Sequence, residues 1–283
     1  MPLTPDDAAE RRPMPLTPDD AAELSRPNPA RIYDYALGGS ANFAADRAAF
    51  EALVDTYPDA AHAPRANRAF LRRAVTFLAQ QGVERFLDVG SGLPTAGNVH
   101  AVAQGVNPRA RVVYVDNDPV AVHYSAHILE DEGPAGVAVI AADLRDPAAI
   151  LAHEEVRRLL RARRPIALLL VAVLPFLPDD AAVLDVVRRL TAALPRGSYL
   201  VISHGTYDRV PSDALAPFTR LYERTTSPLG FRPLALIERF FDGFALVEPG
   251  LVFVPAWRPD DRHAPFYDEP ERAAIVGGVG RKV

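Results

Sequence analysis

Three apolar runs of strand length dominate the hydrophobic pattern in the first half of the chain, and each carries an acid at or near its end. The runs span residues 85–92, 111–116 and 138–143, and their acids are Asp88, Asp116 and Asp143. Continuous apolar runs are typical of parallel strands that are buried on both faces. Ligands bind beyond the carboxyl ends of such strands. The pattern therefore predicts a sheet edge where three carboxylates hold an adenosine-type ligand.

The remaining pattern alternates between helical and strand periods. Residues 165–174 predict a fourth buried strand and 198–203 a fifth. A helix is predicted over 179–194, because apolar residues recur there every three or four positions. Residues 244–257 and 276–283 predict two closing strands that pair antiparallel. This order indicates an α/β fold in which helices cover both faces of a mostly parallel sheet.

The first residues contain a short tandem repeat. Residues 1–10 recur identically as residues 14–23, and both copies are rich in proline and acids with little to bury. We therefore expect residues 1–24 to form a disordered tail. Residues 25–81 follow a mostly helical pattern and predict an N-terminal helical extension, and residues 82–283 predict the α/β domain.

The first acid is followed by two glycines one residue apart, Gly90 and Gly92. Glycine allows a sharp turn from strand to helix and lets the backbone crowd a ligand. A dinucleotide fingerprint would need a third glycine where this chain has Thr95, and Asp88 would repel a pyrophosphate at the helix N-terminus. A carboxylate can instead help to hold an ammonium group, directly or through water. These residues therefore favour S-adenosyl-L-methionine over NAD as the cofactor.

Composition removes several classes of chemistry. The chain has no cysteine, which excludes disulfides, thiolate metal sites and cysteine nucleophiles. Lys282 is its one lysine, so a phosphate-binding P-loop and a lysine Schiff base have no residue to use. A net charge of -5 argues against a nucleic-acid partner. We interpret the arginines between positions 157 and 164 as a solvated helix end.

The sequence lacks the patterns that would indicate a membrane partner or a metal site. The longest apolar run is far shorter than the ~20 residues that a membrane span needs, and no signal peptide opens the chain. We therefore expect a cytoplasmic protein with no membrane partner. His123 and His127 lie four residues apart on a predicted helix, but no acidic motif accompanies them, and no metal site is predicted. No pattern indicates an oligomeric state.

Short motifs spread along the chain from about Asn28 carry a resemblance to a known family. In chain order they are PARIYDY (29–35), LGG (37–39), NFAADR (42–47), RANRAFLRR (65–73), YVDNDP (114–119), ADLRDP (142–147), LLLVAVL (168–174), SHG (203–205), FFDG (240–243) and GGVGR (277–281). Together they resemble the S-adenosylmethionine-dependent methyltransferases, in particular an actinobacterial branch formerly catalogued as a domain of unknown function. The resemblance implies a Rossmann-like, seven-stranded, mostly parallel sheet with a terminal antiparallel hairpin and an N-terminal helical lid. It also implies methyl transfer to an unidentified small-molecule acceptor.

The resemblance further implies roles at the cofactor site. Gly90 and Gly92 would admit the amino acid and ribose parts of the cofactor, and Asp116 would accept hydrogen bonds from the ribose hydroxyls. Asp143 and the backbone of Leu144 would bind adenine. The full predicted set comprises Asp88, Gly90, Ser91, Gly92, Asp116, Asn117, Asp143, Leu144 and Ala172 from the domain and Tyr35, Gly39, Asn42 and Arg68 from the extension.

No residue stands out as a general base. Pro175 follows the fourth strand at a place where relatives commonly have a histidine. His204, at the tip of the fifth strand, is the best remaining candidate for a catalytic base, and its alternative role is that of a histidine hydrogen-bonded into a loop. Two functions stay open beside the methyltransferase. They are a non-catalytic S-adenosylmethionine-binding protein and an NAD-dependent oxidoreductase.

Overall fold

The computed structural model describes residues 25–283, except 94–96, 134, 211, 224 and 226. The tail predicted over residues 1–24 lies outside the described residues. Within the described part of the chain, no helix combines the length and the apolar character needed to cross a lipid bilayer.

One mixed sheet organises the described chain. Its strands are β1 Arg85–Val89, β2 Arg111–Asp116, β3 Val137–Ala141, β4 Ala167–Val171, β5 Tyr199–Gly205, β6 Phe244–Leu246, β7 Val252–Phe253 and β8 Ile275–Lys282. The spatial order is β3-β2-β1-β4-β5-β8-β6, and β1 to β5 are parallel. Strand order reverses between β1 and β4, and such a reversal opens a crevice above the carboxyl ends of the two strands.

The closing strands form the predicted antiparallel hairpin. β8 pairs antiparallel with β5 along one edge and with both β6 and β7 along the other. The edge strand is divided because the chain turns after Val247, whose carbonyl accepts a hydrogen bond from the N–H of Gly250 at 2.8 Å. The predicted α/β fold, with a mostly parallel sheet and a terminal hairpin, is confirmed. The strand predicted over 244–257 consists of two short pieces.

Helices cover both faces of the sheet. They are α1 Pro29–Ala36, α2 Ala44–Thr56, α3 Ala63–Gln80, α4 Val99–Val106, α5 Pro119–Glu132, α6 Pro147–Ala152, α7 Glu154–Arg161, α8 Asp180–Ala192, α9 Ser212–Tyr222 and α10 Leu234–Arg239. Leu168 and Leu170 of β4 pack into one core with α6, α7, α8 and α10. Ala167 and Leu169 pack into a second core with α3 and α4. Both faces of β4 are therefore buried, which explains its continuous apolar sequence.

α3 belongs to the core of the α/β domain. Its residues Phe70 and Leu78 are fully buried in the same cluster as Phe86 of β1. The boundary predicted after residue 81 thus falls inside one continuous core. α1 and α2 pack in a cluster of their own around Ile32 and Phe50. A lid role for these two helices stays a prediction.

A buried ion pair joins α1 to α2. Arg31 Nε donates to Asp46 Oδ2 at 2.9 Å, and the two side chains are only 1% and 0% exposed. Asp46 also accepts hydrogen bonds from the backbone N–H groups of Asn28 and Phe43, each at 2.9 Å. One carboxylate therefore fixes the starts of both helices, and with them the position of α1 at the rim of the cavity described below.

Candidate active site

A cavity of about 290 Å³ opens at the carboxyl ends of β1 to β4. Its other walls come from α1, from α3 and from the segment between β5 and α10. The volume lies close to the lower end of the range for small-molecule sites. Most of the predicted cofactor residues line this cavity, namely Arg68, Asp88, Gly90, Ser91, Gly92, Asp116, Asn117, Asp143, Leu144 and Ala172.

The turn after β1 requires glycine at position 90. Gly90 has a φ of +74°, a conformation that residues with a Cβ rarely adopt. A Cβ there would stand 2.2 Å from Cγ2 of Val173. The N–H groups of Gly90 and Ser91 donate to the carbonyl of Val115 at 2.8 and 3.2 Å, which ties the turn to β2. The clash that excludes a side chain is therefore with the segment after β4.

Asp116 holds the same turn from the end of β2. Its Oδ2 accepts a hydrogen bond from the N–H of Gly92 at 2.7 Å, and its Oδ1 accepts one from the N–H of Asp118 at 2.9 Å. Asp116 is 9% exposed, and burial raises its pKa, an effect that the backbone N–H donors oppose. Each carboxylate oxygen has more than one lone pair. Asp116 can therefore still accept hydrogen bonds from a pair of ligand hydroxyls.

Asp88 and Arg68 place opposite charges in the cavity. Burial raises the pKa of Asp88 to about 7, while the guanidinium of Arg68 acts in the opposite direction and the carboxylate of Asp116 adds to the rise. The Arg68 guanidinium lies 5.5 Å from the centre of the Tyr33 ring. Among the described residues, the buried Nε of Arg68 has no hydrogen-bond partner. An unsatisfied buried donor is costly, which indicates a place for a ligand acceptor.

Asp143 forms a polar edge of the cavity beyond β3. Arg145 Nε donates to both of its carboxylate oxygens at 2.9 Å, and this pairing lowers the pKa of Asp143. Asn117 Nδ2 donates to Asp143 Oδ2 at 3.3 Å. Asp143 therefore remains an ionised acceptor. Arg145 also lines the cavity, although no sequence pattern singled it out.

The chain bends sharply after β4. Ala172 has a φ of +56°, which is uncommon for a residue other than glycine. Its N–H donates to the carbonyl of Ser203 at 3.2 Å, which anchors the bend to β5. Strained backbone concentrates at functional sites. Here the bend brings Val173 against the Gly90 turn and makes both segments walls of one cavity.

Tyr35, Gly39 and Asn42 do not line the cavity. Asn42 Nδ2 donates to Asp34 Oδ2 and to the carbonyl of Gly39, each at 2.8 Å. The Tyr35 hydroxyl donates to Glu51 Oε1 at 2.8 Å in an exposed position. These contacts stabilise the connection between α1 and α2. A cofactor contact for the three residues stays a prediction.

His204 is buried in the core and does not line the cavity. Its Nε2 lies 2.9 Å from Arg232 Nη1, and since arginine can only donate, this nitrogen is the acceptor. Nδ1 then carries the proton and donates to the carbonyl of Gly205 at 2.7 Å. Burial lowers the pKa of His204 to about 3. Both ring nitrogens are occupied and the ring is neutral, which supports the alternative of a structural histidine, and a role as catalytic base stays a prediction.

Arg232 stabilises the wall of the cavity. No sequence pattern had identified this residue. Its Nε donates to Asp180 Oδ1 at 2.8 Å, and its Nη groups donate to the carbonyls of Leu174 and Leu177. Its own N–H donates to the carbonyl of Gly205 at 3.1 Å. The side chain is only 3% exposed. Arg232 therefore holds the segment after β4 against the end of β5.

A second part of the cavity is lined by aromatic side chains that the predicted site set does not contain. They are Tyr33, Phe176, Phe218, Tyr222 and Phe231. Phe218 and Tyr222 are four residues apart on α9, so they lie on one face of the helix. This spacing is the signal that could have marked α9 as a wall of the site.

Comparisons with known proteins agree with the residue pattern. The model of a family described as S-adenosyl methyltransferase matches residues 16–283. A DUF574 family protein from Streptomyces avermitilis is 40% identical, with a TM-score of 0.85 over 92% of this chain and 99% of that one. A candidate methyltransferase from Thermobifida fusca is 40% identical, with a TM-score of 0.84 over 94% of this chain and 99% of that one. No curated protein matches the chain.

More distant structures share the architecture. Magnesium protoporphyrin IX methyltransferase from Synechocystis, solved with bound S-adenosylhomocysteine, is 14% identical. Its TM-score is 0.50 over 78% of this chain and 85% of its own. At that identity the likeness concerns the fold alone.

Proposed function

Because the chain belongs to the S-adenosyl methyltransferase family, we propose that its cavity holds S-adenosyl-L-methionine across the carboxyl ends of β1 to β3, with a small-molecule acceptor beside it. The family assignment makes the chain an S-adenosylmethionine-dependent methyltransferase, and it sets aside the oxidoreductase considered from the sequence. One observation carries the proposed site. The buried Nε of Arg68, which has no hydrogen-bond partner among the described residues, shares the cavity with the buried carboxylate of Asp88.

The amino acid end of the cofactor is a zwitterion, and the cavity offers a matching pair of charges. We assign the cofactor carboxylate to Arg68 and its ammonium group to Asp88. Buried charges are tolerated when each is paired with an opposite charge. A ligand end with a single charge would leave one of the two side chains uncompensated, so the pair favours a zwitterion.

The nucleoside would extend from β1 toward β3. Adjacent strands lie about 4.8 Å apart, so the acids of β1, β2 and the β3 end are spaced at intervals that suit the amino acid, ribose and adenine groups. Asp116 would accept hydrogen bonds from the ribose hydroxyls through its remaining lone pairs. Asp143, Asn117 and the backbone of Leu144 would bind the adenine edge.

When bound, the cofactor supplies a methyl group that is already activated by a positively charged sulfur. The contribution of the chain is then to align the acceptor and to exclude water. The wall between Ala172 and Leu177 contains no histidine or acid, and His204 is fully engaged in the core. The proposed site therefore suits an acceptor whose nucleophilic form is available near neutral pH without a protein base.

The substitution Arg68→Gln should weaken S-adenosylhomocysteine binding about tenfold. It removes a charged donor whose hydrogen bond is worth about 1.5 kcal/mol. Isothermal titration calorimetry measures the change. Arg65→Gln, an exposed arginine on the same helix, is the matched control and should bind like the wild type. Equal dissociation constants for the two variants would remove Arg68 from the site.

Cofactor affinity should increase as the pH rises through about 7. Burial raises the pKa of Asp88 to about 7, so below that pH the carboxyl is protonated in the free protein and must lose a proton to attract the ammonium group. The dissociation constant for S-adenosylhomocysteine should therefore grow up to about tenfold per pH unit below 7. Titrations from pH 6 to 8 check this, and Asp88→Asn should flatten the profile. A wild-type profile as flat as that of Asp88→Asn would contradict the assignment.

A further inference from the structure

The cavity has two chemically different parts. Among the described lining residues, every side chain with a formal charge belongs to the proposed cofactor part: Arg68, Asp88, Asp116, Asp118, Asp143 and Arg145. The other part, here called the acceptor part, is formed by the five aromatic residues named above together with Leu71, Leu177 and Leu229. The acceptor part therefore offers a mainly apolar environment, and the charge beside it, the Arg68 guanidinium 5.5 Å from the centre of the Tyr33 ring, is assigned to the cofactor carboxylate.

Four of the aromatic residues of the acceptor part pack against other aromatic rings, in two edge-to-face contacts and one tilted contact. The ring of Phe218 lies 6.1 Å from that of Phe231 at 83° and 5.6 Å from that of Tyr57 at 68°. The ring of Phe176 lies 5.8 Å from that of Tyr222 at 47°. Such contacts are favourable for aromatic rings, and they fix the wall while leaving ring surface toward the cavity.

Of the two tyrosine hydroxyls in the acceptor part, that of Tyr222 is available to a ligand and that of Tyr33 is already engaged. The Tyr33 hydroxyl donates to the carbonyl of Pro64 at 3.1 Å and accepts from Asn67 Nδ2 at 3.0 Å. Asn67 Oδ1 accepts from Ser203 at 2.6 Å. The Tyr222 hydroxyl, by contrast, makes no hydrogen bond within the described part of the chain. A hydroxyl that a ligand shields from water is stabilised when the ligand supplies a hydrogen-bond partner.

Building on the proposed function, we propose that the methyl acceptor is a flat, uncharged aromatic molecule that packs in the acceptor part and accepts a hydrogen bond from the Tyr222 hydroxyl. A flat ring matches the ring surfaces of the wall. A charged acceptor would lie among apolar side chains without a partner, which is strongly unfavourable. Burial raises the pKa of Tyr222 to about 12, so its hydroxyl remains a donor at neutral pH.

The test is calorimetric titration of protein saturated with S-adenosylhomocysteine, using three probes built on one two-ring skeleton. They are 2-naphthol, its charged counterpart 2-naphthoate and the non-planar decahydro-2-naphthol. We expect 2-naphthol to bind at least tenfold more tightly than either of the others. Equal or tighter binding of 2-naphthoate would overturn the claim that the acceptor is uncharged. Equal binding of decahydro-2-naphthol would overturn the claim that the acceptor is flat. Failure of 2-naphthol to bind would overturn the proposal as a whole.

The hydrogen bond is tested by Tyr222→Phe. This variant should bind 2-naphthol about fivefold more weakly, with unchanged S-adenosylhomocysteine affinity and melting temperature. Tyr207→Phe, at a tyrosine that is 47% exposed, is the control and should match the wild type. Unchanged 2-naphthol affinity in Tyr222→Phe would remove the hydrogen bond from the proposal. If wild-type protein fails to bind S-adenosylhomocysteine, the proposed cofactor site is wrong. If it binds without a preference for 2-naphthol, only this inference is wrong.

Discussion

Asp116→Ala should raise the dissociation constant for S-adenosylhomocysteine at least 100-fold. By the proposed assignment, the change removes two charge-assisted hydrogen bonds to the ribose hydroxyls, worth about 1.5 kcal/mol each, and their sum corresponds to about a hundredfold in affinity. It also removes the acceptor for the N–H groups of Gly92 and Asp118, which are 2.7 and 2.9 Å from its oxygens. The turn after β1 would lose one of its anchors on β2 and keep the hydrogen bonds to the carbonyl of Val115. Isothermal titration calorimetry measures the loss.

The control for this variant is Asp185→Ala. Asp185 lies on α8 with a side chain that is 46% exposed and pairs with Arg188 on the surface. Its replacement should leave cofactor affinity unchanged. The melting temperature of Asp116→Ala separates loss of the ligand contact from loss of the fold. A folded Asp116→Ala that binds within threefold of the wild type would show that the ribose lies elsewhere.

Arg232→Met should destabilise the protein by about 3–5 kcal/mol, because it removes several buried hydrogen bonds from a charged donor, each worth about 1.5–3 kcal/mol. Methionine retains an apolar stem of similar length but no donors. The carbonyls of Leu174 and Leu177 and Nε2 of His204 would then lose a hydrogen bond in the interior. Each unsatisfied buried group adds to the cost. Urea unfolding, followed by circular dichroism, gives the change in the free energy of unfolding.

Arg239→Met is the matched control for that substitution. Arg239 is exposed at the end of α10, and a surface change of this kind usually alters the free energy of unfolding by less than about 0.5 kcal/mol. If Arg232→Met also changes the free energy of unfolding by less than about 1 kcal/mol, the contacts of Arg232 contribute little to the stability of the cavity wall.

The central strands were predictable because burial on both faces leaves a continuous apolar sequence. The sequences of β1, β2 and β4 show this pattern directly. The acids at the ends of β1 and β2 line the cavity, as expected for a parallel sheet. The antiparallel hairpin was predicted as well. Its division into β6 and β7 was not, because it depends on a local turn after Val247 within an otherwise apolar stretch.

Several site features depend on contacts between distant segments, which no local pattern reports. Gly90 was predicted to need room for a ligand, whereas the atom that excludes a side chain belongs to Val173, far along the chain. His204 stands at a strand tip, as a base would, but Arg232 occupies its Nε2 across the core. Arg232 itself follows a loop without a motif. A single buried arginine leaves no periodic trace in the sequence.

The N-terminal segment is a second case in which a local sequence pattern does not report contacts between distant segments. Helical periodicity identified α3 correctly, but the pattern alone could not distinguish a helix of a lid from a helix of the core. The packing of Phe70 and Leu78 beside Phe86 makes α3 part of the core. The same helix carries Arg68 to the cavity. This explains why Arg68, which was predicted to belong to a lid, lines the cavity, whereas Tyr35 and Asn42 do not line it.

A crystal structure of the protein with S-adenosylhomocysteine bound tests the account most directly. We predict the ligand carboxylate within hydrogen-bond distance of Arg68 Nε and the ammonium group at Asp88, directly or through one water. The ribose hydroxyls should bond to Asp116, and adenine should lie at Asp143 and Leu144. A ligand with its amino acid end away from Arg68 and Asp88, or its ribose away from Asp116, would contradict the account.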